Sequence, residues 1–146
     1  MRSKKALFMS IFLAVILFPL QSQAVEDKSM GLYINLTEID KGPAGHAMHF
    51  AGKMMKRGHP VTLFLNKGAV LFASKSAPHG KFPMAGKTVP EMMQGLIKNG
   101  AVVIVCKMCA KMHGIEASDL IDGTKLGNPD LVSEFLFDPK YKAISW

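Results

Sequence analysis

The chain has 146 residues, a net charge of +7, and 49% hydrophobic residues, but only two cysteines. That is enough for one domain with its own core, and two cysteines exclude a disulfide-stapled scaffold. Three units of the positive charge come from Arg2, Lys4 and Lys5, and the remaining lysines are scattered. No basic stripe marks a nucleic-acid surface.

Arg2, Lys4 and Lys5 precede an apolar stretch over 6–20, broken only by Ser10 and Pro19, and Ser22-Gln23-Ala24 follows with small residues where a signal peptidase reads. The stretch is shorter than the ~20 apolar residues of a membrane span. It reads as a secretory signal peptide over 1–24, cut after Ala24, which leaves a single domain over 25–146. The expected location is periplasmic or secreted, with no membrane association after cleavage and no lipid anchor, since no cysteine adjoins the cut.

Beyond a polar linker over 25–29, the segment 31–36 reads as a strand. Ala47, Phe50, Ala51 and Met54 fall at helical spacing and predict a helix over 44–57, stopped by Gly58. A second strand is expected over 60–65, a turn at Asn66-Lys67-Gly68, and a short helix over 69–74. Segment 75–87, rich in Pro, Gly, Lys and Ser, reads as a loop. Thr88-Val-Pro-Glu91 is a capping-box pattern that opens a helix running to Asn99. The apolar, β-branched run 101–105 reads as a buried strand, and 107–113 as a helix closed by Gly114. The stretch 115–121 leads into a polar turn. Asn128-Pro129 opens a further helix, Asp138-Pro139 ends it, and 141–146 closes the sheet as a last strand. Strands alternate with helices, and two strands are apolar on both faces. The fold expected is therefore α/β, with a mostly parallel sheet covered on both sides. Its working edge lies at the C-terminal strand ends, where Asn35 to Asp40, Asn66 to Gly68 and Cys106 to Cys109 gather.

Cys106 and Cys109 stand at the junction of the third main strand with its helix. A bridge across so short a loop restrains little of the unfolded chain, so reactivity or metal binding explains the pair better than stapling. The free N–H groups of a helix's first turn favour thiolate over thiol, so Cys106 is expected to have a depressed pKa and to act as nucleophile or sulfur carrier. Cys109, one turn on, is placed to resolve a persulfide or sulfenate on Cys106 through a disulfide. No Trp precedes Cys106 and no cis-proline strand is evident, so the thioredoxin context is missing. His113 lies on the same predicted helix face, which makes Cys106, Cys109 and His113 a possible soft ligand set for copper or zinc. His46 and His49 sit one turn apart beside Met48, Met54 and Met55, where methionines at helical spacing read as core filler. Phosphate-loop, dinucleotide, zincin and nucleophile-elbow motifs are absent.

On these residues the chain resembles the DsrE/DsrF-like sulfur-relay family of the TusD and YchN types. The resemblance covers 31–146. It is carried by the helix ending at Gly58 with Val61-Thr-Leu-Phe-Leu65, by Asn66-Lys-Gly-Ala-Val70, and most specifically by Val105-Cys-Lys-Met-Cys-Ala-Lys-Met-His-Gly-Ile115. It implies a three-layer α/β/α sandwich, persulfide transfer between sulfur donors and acceptors on Cys106, a YchN-type second cysteine at Cys109, and homo- or hetero-oligomers such as trimers and hexamers; for this chain a closed homo-oligomer, trimer or hexamer, and no cofactor are expected. Phe72, Phe82, Met84, Phe135, Phe137 and Trp146 fall in segments expected to meet a partner subunit. His113 replaces the Arg of many members, and the leader argues against a role in tRNA thiolation. The function expected is thus a periplasmic sulfur carrier or sulfurtransferase. The alternatives are a periplasmic metal-binding protein using Cys106, Cys109 and His113, and an oligomeric binding protein without turnover.

Overall fold

A computed structural model describes residues 28–146; the signal peptide read over 1–24 lies outside them. Seven strands and four α-helices follow in the order β1 (Gly31–Leu36), α1 (Lys41–Lys56), β2 (Val61–Leu65), β3 (Lys81–Phe82), β4 (Lys87–Thr88), α2 (Val89–Lys98), β5 (Val102–Cys106), α3 (Lys107–Met112), β6 (Thr124–Gly127), α4 (Pro129–Leu136) and β7 (Tyr141–Ser145). Five strands form one sheet in the order β6-β5-β2-β1-β7. All of its pairings are parallel.

The chain steps in one direction across the sheet from β1 to β2, β5 and β6, then returns to place β7 beside β1. Right-handed crossovers put connections of opposite sense on opposite faces. On one face α1 and α2 bury Ala44, Ala47, Met48, Ala51, Met93 and Leu96 against Ile34, Leu36, Leu63, Val103 and Val105. On the other face α4 packs more thinly: none of its residues is fully buried, and its Phe135 meets Tyr141 of β7 edge-on at 5.5 Å. The expected α/β sandwich with a parallel sheet is present, with unequal outer layers.

Local chemistry sets the element ends. Asp40 Oδ1 accepts the Gly42 N–H at 2.8 Å and caps α1. Thr88 and Glu91 close the expected capping box on α2: the Glu91 carboxylate accepts the Thr88 N–H at 2.7 Å, and Thr88 Oγ1 accepts the Glu91 N–H at 3.3 Å. Asn128 Oδ1 accepts the Leu131 N–H at 2.9 Å and starts α4.

Three details differ from the sequence reading. The segment after Asn66 is a 3-10 helix over Lys67–Ala73 rather than a turn followed by a helix. The expected loop over 75–87 contains the small antiparallel ribbon β3–β4, which tucks Phe82 into the domain over Gly45, where a Cβ would lie 2.4 Å from the ring. Finally, the stretch expected as a polar turn before Asn128 contains the strand β6. As a four-residue edge strand with two exposed positions, it carries little apolar pattern.

Candidate functional site

β5 passes into α3 without a loop, and Cys106 is the residue between them. Its Sγ accepts the N–H of Cys109 at 3.3 Å, the usual geometry of an N-capping side chain, here made with sulfur. Both cysteines are half-buried free thiols, and both pack against the edge of the main core. Gly114 ends α3 in the left-handed region, with φ +68°. The N–H of the next residue, Ile115, then returns to the Ala110 carbonyl at 2.9 Å, and the Ile115 side chain is buried. The Gly-Ile closure thus anchors the short helix that carries Cys109.

The expectation of a depressed Cys106 pKa is corrected. Burial pushes the thiol above its ordinary value, and a hydrogen bond and charge interaction with the Cys109 thiol push in the same direction. The backbone N–H groups of Cys109 and Met108 favour the thiolate but do not outweigh them. A six-residue helix offers too little dipole to reverse the cost of desolvation.

The candidate metal set is not assembled. His113 caps the end of α3 through its backbone N–H, which points to the Cys109 and Ala110 carbonyls, and it is exposed. Among the described residues no group of three or more His, Cys, Asp or Glu side chains is gathered to hold a metal ion. His46 lies edge-on to Phe82 at 5.2 Å, while His49 lines a separate cleft between α1 and α2. Met48 is core, and Met54 and Met55 pack against it, as their spacing implied.

At the C-terminal strand ends the structure brings Asn35 and Asn66 together, as their positions implied. Asn66 Nδ2 donates to Asn35 Oδ1 at 2.5 Å, and Asn35 Nδ2 donates to Ser145 Oγ at 3.3 Å. Leu65 pairs with Val105, so Asn66 follows β2 beside Cys106, and this amide–hydroxyl row runs along the rim from the cysteine toward β7.

One feature of the site was not read from the sequence. Cys106 opens onto a groove of about 540 Å³ between the start of α3 and the start of α4. Phe64, Met108, Pro129 and Val132 give it apolar walls, and Lys107 and Lys111 also line it. Gly127 at its floor lets β6 pack closely on β5: a Cβ there would collide with Ile104 Cγ2 and lie 3.6 Å from Val132 Cγ2. The available signal was the Gly127-Asn128-Pro129 run, which marks a close approach followed by a helix start.

A parallel α/β sandwich with a cysteine at a strand–helix junction defines the class, and the comparisons define the family. Residues 26–145 match the DsrE/DsrF-like family, and the chain belongs to it. It is 33% identical over 99 residues to the uncharacterized protein MJ0989 of Methanocaldococcus jannaschii, covering 66% of this chain and 83% of that one. The fold is similar to the crystal structure of the ychN protein from E. coli, with a TM-score of 0.68 and 18% identity over 80% of this chain and 99% of that one. It is also similar to MTH1491, a protein of unknown function from Methanobacterium thermoautotrophicum, with a TM-score of 0.64 and 10% identity over 79% and 97% of the two chains.

Of the six side chains expected at a subunit contact, Phe72 and Phe82 are buried within the chain's own core. Phe135 packs on Tyr141 and Trp146 on Phe50. Met84 and Phe137 are exposed, as are Met108 and Met112 on α3.

Proposed function

We propose that this DsrE/DsrF-like protein is an exported sulfur carrier or sulfurtransferase that holds persulfide sulfur on Cys106. The observation that carries the reading is the placement of Cys106 Sγ: it ends a buried strand, accepts the Cys109 N–H, and opens onto a groove large enough for a donor. The Cys106 thiolate attacks the outer sulfur of a donor persulfide. The donor's S–S bond breaks, its thiolate leaves with the electron pair, and a new S–S bond joins that sulfur to Cys106. An acceptor thiol takes the sulfur by the same exchange in reverse. If no acceptor arrives, the Cys109 thiolate attacks Cys106 Sγ, expels hydrosulfide and leaves a Cys106–Cys109 disulfide, which an external dithiol reduces. Burial raises the Cys106 pKa, so the resting site holds less thiolate than a free thiol would at the same pH. The leader over 1–24 supports work in the periplasm or outside the cell. Assembly as a homo-oligomer of three or six chains is proposed on the family resemblance, and the exposed Met84 and Phe137 are side chains that such an assembly could cover.

The test is intact mass after treatment of the reduced protein with inorganic polysulfide. Wild type and Cys109→Ser gain the mass of one or more sulfur atoms; Cys106→Ser gains none, and only wild type forms the internal disulfide. Equal loading of Cys106→Ser ends the proposal.

A further inference from the structure

The groove beside Cys106 has a chemistry of its own. Its volume, about 540 Å³, falls within the range of sites that enclose small organic ligands. A thiosulfate or polysulfide ion is small and strongly hydrated, and it gains nothing from walls built of Phe64, Pro129, Val132 and Met108. An apolar body displaces water from those walls. Lys107 and Lys111 stand one turn apart on α3 and line the groove with their alkyl stems, and both side chains are exposed, which leaves their charged ends to solvent at its rim. Neither takes part in an ion pair or a side-chain hydrogen bond among the described residues. An anionic group on a bound apolar body would therefore meet these two cations at the mouth of the cleft, where the flexible stems can reach it.

We infer that the groove selects, as sulfur donor to Cys106, an organic anion that carries a sulfane sulfur on an apolar body of about arene size, of which an arenethiosulfonate is the simplest form. The inference rests on the sulfur-carrier reading of Cys106. The apolar body lies against Phe64, Pro129 and Val132, and the sulfonyl oxygens face Lys107 and Lys111. The Cys106 thiolate, its proton passed to solvent, attacks the terminal sulfur. The bond between that sulfur and the sulfonyl sulfur breaks, the arenesulfinate leaves with the electron pair, and Cys106 carries the persulfide. The cysteine sulfur is oxidised and the sulfonyl sulfur is reduced to sulfinate, so no further oxidant or reductant enters.

The experiment uses the full reduced protein with three donors: benzenethiosulfonate, thiosulfate and inorganic polysulfide. Sulfur gain at Cys106 is followed by mass, with N-acetylcysteine as the free-thiol reference. The benzenethiosulfonate-to-thiosulfate rate ratio is expected to be about tenfold or more higher at Cys106 than at the free thiol. Val132→Asp, which puts a carboxylate in the groove, brings the ratio down toward the free thiol's. Benzenesulfonate, which has no sulfur to give, slows alkylation of Cys106, whereas methanesulfonate at the same concentration does not; the Lys107→Gln, Lys111→Gln double variant loses that protection. A wild-type ratio equal to the free thiol's, or no protection by benzenesulfonate, overturns the groove assignment while polysulfide loading leaves the carrier reading standing. Failure of all three donors overturns the carrier reading, and the donor assignment with it.

Discussion

Thr62 offers a direct test of the packing on the α4 side of the sheet. Val61, Leu63 and Leu65 point into the main core, so strand alternation turns Thr62 and Phe64 to the other face. Thr62 pairs with Tyr33 on one side and Val102 on the other. It is fully buried, and its Oγ1 has no hydrogen-bond partner. A buried polar atom without a partner costs about 1–3 kcal/mol of desolvation. Thr62→Val keeps the β-branched shape and replaces the hydroxyl with a methyl, so it should stabilise the domain by about 1–2 kcal/mol. For a domain of this size that corresponds to a rise in Tm of about 3–8 °C. The control, Thr62→Ser, keeps the hydroxyl and deletes a buried methyl, and should cost about 1 kcal/mol. Urea unfolding followed by circular dichroism measures both, and an unchanged slope with denaturant shows that the change lies in stability rather than in the unfolded state. Loss of stability in Thr62→Val would mean that the hydroxyl is bonded in solution, and would refute the assignment of an unpartnered group.

Two further outcomes follow from the site and the surface. Alkylation consumes thiolate, so a pKa raised chiefly by burial places the pH midpoint for Cys106 above the ~8.5 of a free thiol. Cys109→Ala removes the thiol–thiol hydrogen bond and the neighbouring charge, and should move that midpoint down; a wild-type midpoint below the free thiol's, or an upward move in the variant, contradicts this. Multi-angle light scattering at micromolar concentration should give three or six times the chain mass, and the mass of one chain would end the oligomer proposal.

The layers were legible wherever a physical pattern repeats. Val102–Cys106 and Val61–Leu65 are buried on both faces, so they announce a covered parallel sheet without help from any partner strand. Thr88 and Glu91 announce the start of α2 because both halves of the capping box are local in sequence. The strand β6 could not be read this way. Its side chains face mostly outward, and it joins the sheet only because β5 offers an unpaired edge. The ribbon β3–β4 was hidden for a similar reason: two-residue strands hold no period, and Phe82 is buried by a glycine in a distant helix, Gly45.

The site divides along the same line. The spacing of Cys106, Cys109 and Gly114 is local, so the strand–cysteine–helix unit was readable in order. The electrostatics were not, because the pKa of Cys106 depends on how deeply tertiary packing seats the thiol, and sequence supplies only the N–H groups that oppose that effect. The metal set failed for a geometric reason: three residues on one face of an ideal helix require a helix long enough to hold them, and α3 ends at Met112, which leaves His113 to cap it. The groove was least visible of all. Its walls come from β2, α3 and α4, elements up to 68 residues apart between Phe64 and Val132, and they meet beside Cys106 only in the folded chain. The strand–cysteine–helix junction is thus a local property of the chain, whereas the groove beside it is built from residues that only the fold brings together.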